Sequence, residues 1–333
     1  MSLELKGVTV RYPAGTGFLT AVDGIDIVVP KGGTLGLVGE SGCGKSSVAR
    51  AIVGLVPITR GRLFLDGKDY TSQRKRDSRE FRRRVQLIFQ DPYSSLNPRM
   101  TVGEMIREGL RLRGTAARTE AARILDLVGL SASALQSYPH QFSGGQRQRI
   151  AIARALAVGP ELIINDEVTS ALDVSVQATI LNLLRDLQRE LGLSYLFISH
   201  DLSIVRFMSD AIAVMYLGQV VEAGSTNHIF QATEHPYTKA LIASVPDVGT
   251  APRPPAVSGE LPDPRQPPPG CRFHTRCPVG PLKFPDRRIC MTSDPQLTAN
   301  QRSNRAACHF ASTGPGVQTV EPRRESGTIP IRS

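Results

Sequence analysis

The sequence predicts an α/β protein built on a mostly parallel β-sheet with helices on both faces. Two observations lead to this fold class. Over roughly the first 240 residues, short apolar runs alternate with helical patterns, and this alternation is typical of parallel sheets. One apolar run is followed at once by glycines and then by a helical pattern. With 333 residues, the chain is long enough for one large core and a smaller appendage.

The strands are predicted from short apolar runs, and the helices from apolar residues at helical spacing. Val176, Ile180, Leu183, Leu184 and Leu187 recur at that spacing and form one apolar face. The predicted buried strands are residues 35–38, 85–89, 162–164, 195–198 and 212–216.

Composition divides the chain into parts. Residues 1–245 form the predicted α/β core domain, in which the stretch from about 92 to 159 holds helical patterns such as 118–128 and no convincing strand. We interpret that stretch as a helical subdomain inserted into the core. Proline occurs nine times from residue 246 to residue 269, so 246–270 is predicted to be a semi-extended linker. A cysteine-rich domain (271–310) and a polar tail (311–333), expected to be disordered, follow.

The net charge is +10, and part of it lies in the basic run at residues 74–84. A solvated helix face is the ordinary reading of such a run, and a neighbouring anionic lipid or nucleotide is the alternative. Charge alone does not choose between them. No run approaches the roughly 18–20 apolar residues that cross a bilayer, and the first residues lack the pattern of a secretion signal. We therefore expect the chain to stay in the cytoplasm.

A phosphate-binding loop is predicted at residues 39–46 (GESGCGKS), which fit the pattern G-x-x-x-x-G-K-[ST]. A strand precedes the loop, and a helix is expected from Ser47. Glycines let the backbone curl so that its N–H groups point at phosphate oxygens, and the helix N-terminus adds partial positive charge. We expect Lys45 to hold the β- and γ-phosphates and the Ser46 hydroxyl to coordinate Mg²⁺. The predicted nucleotide contacts of this segment are Gly39, Glu40, Ser41, Gly42, Cys43, Gly44, Lys45, Ser46 and Ser47.

Two adjacent carboxylates end the apolar run at residues 162–167 (LIINDE). A strand end that points at the phosphate loop is where a Mg²⁺-holding acid is needed, and Asp166 fits that role. Glu167 is in position to polarise the water that attacks the γ-phosphate. An isolated acidic pair after a strand is usually a helix N-cap, but the phosphate loop in the same chain favours the catalytic reading.

Residues 142–155 (FSGGQRQRIAIARA) resemble the signature segment of ABC-type ATPases. The family pattern is L-S-G-G-Q, and Phe142 replaces its leucine here. Ser143, Gly144 and Gly145 open a helix, so their amides and the serine hydroxyl form a second anion site, to which the resemblance adds Gln146 as a nucleotide contact.

Other family motifs occur in the expected order, and the resemblance assigns each a role. Gln90 resembles the Q-loop glutamine, which contacts Mg²⁺ and senses the transmembrane partner. Asp173, in SALD, resembles the D-loop aspartate. His200 resembles the switch histidine that contacts the γ-phosphate, and Tyr12 fits the aromatic residue that stacks on adenine. The implied catalytic residues are Lys45, Glu167 and His200.

The sequence departs from the family pattern after the acid pair, where Val168 replaces the usual proline. We expect a local loop effect rather than lost activity. The resemblance further implies an N-terminal antiparallel β region beside the parallel core. It also implies a head-to-tail dimer, with ATP and Mg²⁺ held between the phosphate loop of one subunit and the signature of the other.

The C-terminal part resembles the ATP-binding subunits of bacterial dipeptide, oligopeptide and nickel importers. The resemblance rests on residues 235–242 (HPYTKALI), 258–262 (SGELP) and 267–278 (PPPGCRFHTRCP), and it covers about residues 1–310. Residues 170–177 and 214–218 are more similar to the second of two paralogous ATPases.

This branch implies a particular set of partners and a location. The partners are a sister ATPase, two transmembrane permeases and, indirectly, an extracytoplasmic substrate-binding protein, with no nucleic acid. The implied location is the cytoplasmic face of the plasma membrane, as a peripheral subunit.

In this branch, four C-terminal cysteines can hold a [4Fe–4S] cluster, and thiolates suit iron–sulfur or zinc. Five residues separate the first two cysteines, whereas zinc knuckles usually have C-x2-C spacing. Zinc, with His274 or His309 as substitute ligands, and unliganded thiols remain alternatives. The four cysteines are Cys271, Cys277, Cys290 and Cys308.

Two other functions fit parts of the sequence: a soluble ABC-type ATPase acting on nucleic acid or ribosomes, and a regulatory ATP-binding module. Translation-type members usually carry two ATPase halves, and repair-type members carry long coiled coils, but this sequence has one phosphate loop and no such coil. Intact Lys45, Glu167 and His200 argue against a purely regulatory module.

Overall fold

Two β-sheets form the framework of the protein. The computed structural model describes residues 2–15, 17–76, 78–91, 95–170, 172–244, 259–299 and 305–311. The strands in these ranges are β1 (Leu3–Ala14), β2 (Gly17–Val29), β3 (Thr34–Val38), β4 (Arg60–Leu65), β5 (Lys68–Asp69), β6 (Val85–Ile88), β7 (Leu162–Asp166), β8 (Ser194–Ile198), β9 (Ala211–Tyr216), β10 (Gln219–Ser225), β11 (Thr298–Ala299) and β12 (Arg305–Ala306).

The larger sheet has the strand order β11-β12-β10-β9-β3-β8-β7-β6 among the described residues. Its strands from β9 to β6 are parallel, while β10, β12 and β11 pair antiparallel at one edge. Every residue of β3, β7 and β8 is buried, as expected for strands that are covered on both faces. The smaller sheet, β2-β1-β4-β5, is antiparallel. The predicted fold class, including the N-terminal antiparallel region, is confirmed.

The helices of the described residues connect these strands or cover them. None of these helices combines the length and the apolar character needed to span a bilayer. They are α1 (Lys45–Ile52), α2 (Gln73–Arg76), α3 (Arg79–Arg84), α4 (Val102–Gly109), α5 (Gly114–Leu127), α6 (Gly144–Leu156), α7 (Val174–Leu191), α8 (Leu202–Met208), α9 (Thr226–Ala232), α10 (Pro236–Ala243) and α11 (Ile289–Thr292), with 3₁₀ turns at Ala132–Gln136 and Pro139–Gln141.

Helix α1 lies between the two sheets. Its buried residues Val48 and Ile52 belong to the same core cluster as Leu63 of the small sheet and Ile164 of the large one. A second core cluster lies on the opposite face of the large sheet, where α6, α7 and α8 pack. The phosphate loop and the first turn of α1 are therefore held by rigid elements on both sides.

The basic run at residues 74–84 differs in part from the ordinary reading of a solvated face. Arg76 is 1% exposed. Its Nη1 donates to the Tyr70 carbonyl oxygen at 3.1 Å, and its Nη2 donates to Gln73 Oε1 at 3.0 Å. Phe81, in the same run, is also buried. Buried charge of this kind needs hydrogen-bond partners, and Arg76 has them within the fold, so this part of the run is not a solvated face.

The described residues after residue 244 form a unit made mostly of turns, which packs on the core. We call the described residues 259–299 and 305–311 the cysteine module. Its strand β12 adds to the large sheet, where Ala306 pairs with Glu222 of β10. Residues 246–258 of the predicted linker and residues 312–333 of the predicted tail lie outside the described ranges.

Candidate nucleotide site

The phosphate loop joins the end of β3 to the start of α1, so the helix begins at Lys45 rather than at the predicted Ser47. Gly44 has φ +111°, and a Cβ there would lie 2.2 Å from the Ala21 carbonyl oxygen. At Gly39, a Cβ would lie 2.2 Å from the Met215 carbonyl oxygen. The loop therefore needs glycine at both positions, for its curl and for its close approach to neighbouring backbone.

Lys45 points into the curl of this loop. Its side chain is almost fully buried, with the residue 4% exposed. Its Nζ donates to the carbonyl oxygens of Gly39 at 2.8 Å and Glu40 at 3.0 Å. An ammonium group held at this place can exchange such carbonyl contacts for phosphate oxygens, which are stronger acceptors because they are charged.

Ser46 and Asp166 lie together, as predicted for two ligands of one metal ion. Ser46 Oγ donates to Asp166 Oδ1 at 3.0 Å, although 120 residues separate them in sequence. Burial raises the pKa of Asp166, and the Ser46 hydrogen bond opposes that shift. Hydroxyl and carboxylate oxygens are hard donors that suit Mg²⁺, so the pair fits the ion that the sequence implies.

Glu167 is the centre of a second group of side chains. Gln90 Nε2 donates to Glu167 Oε2 at 3.1 Å, and His200 Nδ1 lies 3.4 Å from Glu167 Oε1. Ser170 Oγ donates to the Glu167 carbonyl oxygen at 3.0 Å. Glu167 has φ +51°, a sparsely populated conformation for a residue with a side chain and one that often marks functional sites. Val168, which replaces the usual proline, is buried in the core.

Tyr12 lies on β1 beside the start of α1. Its hydroxyl donates to Ser47 Oγ at 3.2 Å, which brings the predicted adenine-stacking residue next to the predicted phosphate-binding helix. The stacking role itself stays a prediction.

The signature residues occupy a different place. Ser143 caps α6: its Oγ accepts from the Gln146 N–H at 3.4 Å, and Gln146 Oε1 accepts from the Ser143 N–H at 3.0 Å. Asp173 caps α7, where its Oδ1 accepts from the Val176 N–H at 3.0 Å. Within the described ranges, no hydrogen bond or ion pair joins Ser143, Gly144, Gly145 or Gln146 to the phosphate loop.

Sequence reasoning missed two neighbours of the phosphate loop. Glu40 donates its N–H to Tyr237 Oη at 2.9 Å. Its carboxylate accepts from Arg276 Nη1 at 2.8 Å and from Arg276 Nη2 at 3.1 Å. Arg276 lies 236 residues away in sequence, and no pattern in the chain links the two positions.

The four C-terminal cysteines lie in the cysteine module as free thiols. Cys271 donates its N–H to the Cys290 carbonyl oxygen at 2.9 Å. Burial raises the pKa of Cys271 to about 12 and that of Cys277 to about 11. In the part of the chain that the structure describes, no group of three or more His, Cys, Asp or Glu side chains is arranged to hold a metal ion. The four thiols nevertheless interact electrostatically with one another, and the iron–sulfur or zinc site stays a prediction.

Two segments of the chain match known protein families. Residues 22–170 match the ABC transporter family, and residues 221–281 match the oligopeptide/dipeptide transporter C-terminal region. The oligopeptide transport ATP-binding protein AppF of Bacillus subtilis is 44% identical over 326 residues, which cover 93% of this chain and 97% of AppF. This chain belongs to the ABC transporter ATP-binding family. It is an ABC-type ATPase, and the predicted family and its oligopeptide/dipeptide branch are confirmed.

Further relatives of this ABC ATPase agree. OppF of Salmonella typhimurium, an oligopeptide transport ATP-binding protein, is 51% identical over 270 residues, which cover 78% of this chain and 81% of OppF. A putative peptide import ATP-binding protein of Brucella ovis is 42% identical over 316 residues, covering 92% of this chain and 96% of the relative. These names do not favour the alternative of a soluble ATPase that acts on nucleic acid or ribosomes.

Solved structures resemble the ATPase part of the chain. One is a dimeric ATP-binding cassette in a post-hydrolysis state bound to ADP and Pi, with TM-score 0.60 and 29% identity, covering 67% of this chain and 98% of the cassette. Another is cbiO1 from Clostridium perfringens, part of an ABC transporter complex, with TM-score 0.61 and 27% identity, covering 69% of this chain and 90% of cbiO1.

Proposed function

We propose that this ABC ATPase drives peptide import through a membrane complex. One observation carries the ATPase part of the proposal: Ser46 of the phosphate loop meets Asp166 at the end of β7, one residue before Glu167. The match of residues 221–281 to the oligopeptide/dipeptide C-terminal region, and the names of the relatives, support peptides as the cargo.

The proposed chemistry is phosphoryl transfer to water. Lys45 holds the β- and γ-phosphates, Glu167 orients and polarises the attacking water, and His200 contacts the γ-phosphate. When bound, Mg²⁺ at Ser46, Asp166 and Gln90 supplies the positive charge that offsets the charge of the phosphates. The contacts of Gln90 and His200 with the Glu167 carboxylate support this assignment, because both hold the base in one orientation.

We propose that each ATP-binding site is completed by residues of a second subunit, a sister ATPase. Ser143 and Gln146 cap their own helix, and the described hydrogen bonds do not connect them to the phosphate loop. A helix N-terminus of this kind binds an anion well, so the signature can serve the nucleotide of a partner. The dimeric cassette among the similar structures supports this arrangement.

A groove beside β6 is the proposed contact with the permeases at the cytoplasmic face of the membrane. The groove has a volume of about 580 Å³ and lies between the sheet and the helical subdomain. Phe89 lines it and is 37% exposed, next to Gln90 in sequence. A permease segment seated there can influence Gln90, and through it Glu167. The residues that line the groove include Arg82, Gln86, Phe89, Ser95, Glu108 and Arg154.

Purification of the complex tests this proposal. A tagged chain isolated from native membranes in mild detergent is expected to bring down two integral membrane subunits and a second, different ATPase. Deletion of the gene should abolish the ATP-dependent uptake of a labelled tripeptide, and the intact gene should restore it. Recovery of the chain as a homodimer would refute the proposed pairing with a sister ATPase. Unchanged uptake would refute the peptide cargo, and association with nucleic acid would overturn the importer assignment.

We propose, from the sequence resemblance, a [4Fe–4S] cluster on Cys271, Cys277, Cys290 and Cys308, with zinc as the alternative. The support is chemical: four soft ligands belong to one small module. The four thiols also interact electrostatically with one another, and metal binding requires the loss of their protons. Anaerobically purified protein should be brown and contain iron and sulfide in stoichiometric amounts. Zinc alone in elemental analysis would exclude the cluster.

We also propose the division of the chain that its composition indicates. It has an ATPase domain at residues 1–245 with a helical subdomain at about 92–159, a linker at 246–270, the cysteine-rich domain at 271–310 and a tail at 311–333. The run of helices from α4 to α6 supports the helical subdomain.

A further inference from the structure

The cysteine module packs directly against the phosphate loop. Phe273 is 1% exposed. Its ring centroid lies 5.2 Å from that of Tyr216, 5.4 Å from that of Tyr237 and 5.9 Å from that of His235. Aromatic rings at such distances stabilise one another beyond simple burial. This aromatic cluster fixes residues 271–277 beside the loop that joins β3 to α1.

Arg276 extends from this anchored segment to the phosphate loop. Its side chain is 8% exposed and makes two parallel hydrogen bonds to the Glu40 carboxylate, at 2.8 and 3.1 Å. Its Nη1 also lies 3.4 Å from Tyr216 Oη, to which it donates. A two-bond contact between a guanidinium and a carboxylate is geometrically specific and stronger than a neutral hydrogen bond.

Glu40 of the phosphate loop contacts Tyr237 and Lys45 as well as Arg276. Its N–H donates to Tyr237 Oη at 2.9 Å, and its carbonyl oxygen accepts from Lys45 Nζ at 3.0 Å. Arg276 thus binds Glu40, the same residue whose carbonyl oxygen helps to position Lys45. Tyr237 belongs to α10 and Arg276 to the cysteine module, so two C-terminal elements hold one loop residue.

The carboxylate of Glu40 also has an electrostatic consequence. Its negative charge belongs to the loop that is expected to receive a triphosphate, and like charges at close range in a partly buried site repel strongly. The Arg276 guanidinium offsets that charge. Without it, the loop that is expected to receive ATP would carry an unpaired carboxylate.

We propose that Arg276 is a positioning residue for ATP binding, which neutralises Glu40 and holds it in the conformation that receives the phosphates. The proposal rests on the assignment of residues 39–46 to the phosphates of ATP. It gives the C-terminal extension a role in the nucleotide site of its own subunit, independent of whether its cysteines bind metal.

Equilibrium binding of fluorescent ATP and ADP analogues to the full-length chain, with Mg²⁺, tests the proposal. Arg276→Gln is expected to raise the Kd for ATP about tenfold, with a smaller rise for ADP, because the repulsion grows with the charge of the ligand. In the double variant Glu40→Gln/Arg276→Gln, the charge is removed together with its partner, so the Kd for ATP should return to within about threefold of wild type.

Two further variants separate this role from general support of the fold. Arg287→Gln is the matched control, since this arginine donates to the Val279 carbonyl oxygen at 2.8 Å and lies over the rings of Phe284 and Phe310, all within the cysteine module. Its ATP affinity should equal that of wild type. If Arg276→Gln does not fold, Arg276→Lys replaces it. Lysine keeps the positive charge but not the two-bond contact, and because the expected loss of affinity comes from charge, this variant should bind ATP within about threefold of wild type.

Several outcomes would overturn the proposal. These are an unchanged Kd in Arg276→Gln, equal loss of ATP and ADP affinity, or a double variant as impaired as the single one. If Arg276→Gln does not fold, the proposal is overturned when Arg276→Lys raises the Kd for ATP about tenfold or more, because this variant keeps the positive charge. Lys45→Ala distinguishes the two levels of inference. If it retains ATP affinity, the phosphate-loop assignment itself is wrong; if it loses affinity while Arg276→Gln does not, only the role of Arg276 fails.

Discussion

Replacing Glu167 by glutamine is expected to lower the rate of ATP hydrolysis at least about a hundredfold while ATP binding persists, because a general base typically contributes that much or more to the rate. Glutamine has nearly the same shape and can still pair with Gln90 and His200, which lie 3.1 and 3.4 Å from the carboxylate. It cannot accept a proton from the attacking water. The closed, ATP-bound dimer should therefore accumulate.

The measurement is phosphate release by the purified membrane complex, together with the amount of nucleotide retained after gel filtration. Glu190→Gln is the matched control, since Glu190 is an exposed glutamate near the end of α7, and it should hydrolyse ATP at the wild-type rate. Turnover of Glu167→Gln within about threefold of wild type would mean that another group acts as the base.

The strands at the centre of the fold were predictable because buried strands appear in the sequence as short apolar runs. Four predicted runs lie within observed strands, as for residues 162–164 within Leu162–Asp166, and the run 85–89 extends one residue beyond Val85–Ile88. Strand ends were less predictable, since pairing extends a strand into polar residues: Asp166 pairs with Ile198 of the neighbouring strand. Helix α1 begins two residues before the predicted Ser47, because the helix starts within the phosphate loop itself.

The approach of Ser46 to Asp166 was predictable for a different reason. Strands in one parallel sheet have their carboxyl ends at one edge, so the loop after β3 and the acid pair at the end of β7 lie at the same edge, with β8 between the two strands. The approach of Ser46 to Asp166 follows from this topology. The glycines of the loop were equally informative, since Gly44 has a conformation that other residues rarely adopt.

Contacts between distant segments were not predictable from one sequence. The pairing of Arg276 with Glu40 depends on how the cysteine module folds back onto the core, and nothing local encodes it. The same holds for Arg76. The charge of its sequence neighbourhood predicts an exposed side chain, but Arg76 is buried and donates to the backbone carbonyl oxygen of Tyr70. Cysteine spacing likewise does not fix the relative placement of the four thiols.

Removing the side chain of Lys45 is expected to abolish tight ATP binding, with the Kd raised at least about a hundredfold, as for loss of a buried charge that pairs with another charge. Lys45 is the cation within the curl of the phosphate loop, and its Nζ donates to Gly39 and Glu40. In Lys45→Ala, the phosphates lose their charged partner, and this loss acts against the ATP-bound state. The two carbonyl oxygens lose their donor in the nucleotide-free loop.

Equilibrium dialysis of the full-length chain with ATP and Mg²⁺ measures this effect directly. Lys31→Ala is the control, because Lys31 is an exposed lysine just before β3 and its loss changes the net charge by the same amount. If a long-range effect of net charge dominated, the two variants would weaken ATP binding equally. Since the field of an exposed lysine is screened by salt over about 8 Å, we expect Lys31→Ala to bind ATP as wild type does, and only Lys45→Ala to lose affinity.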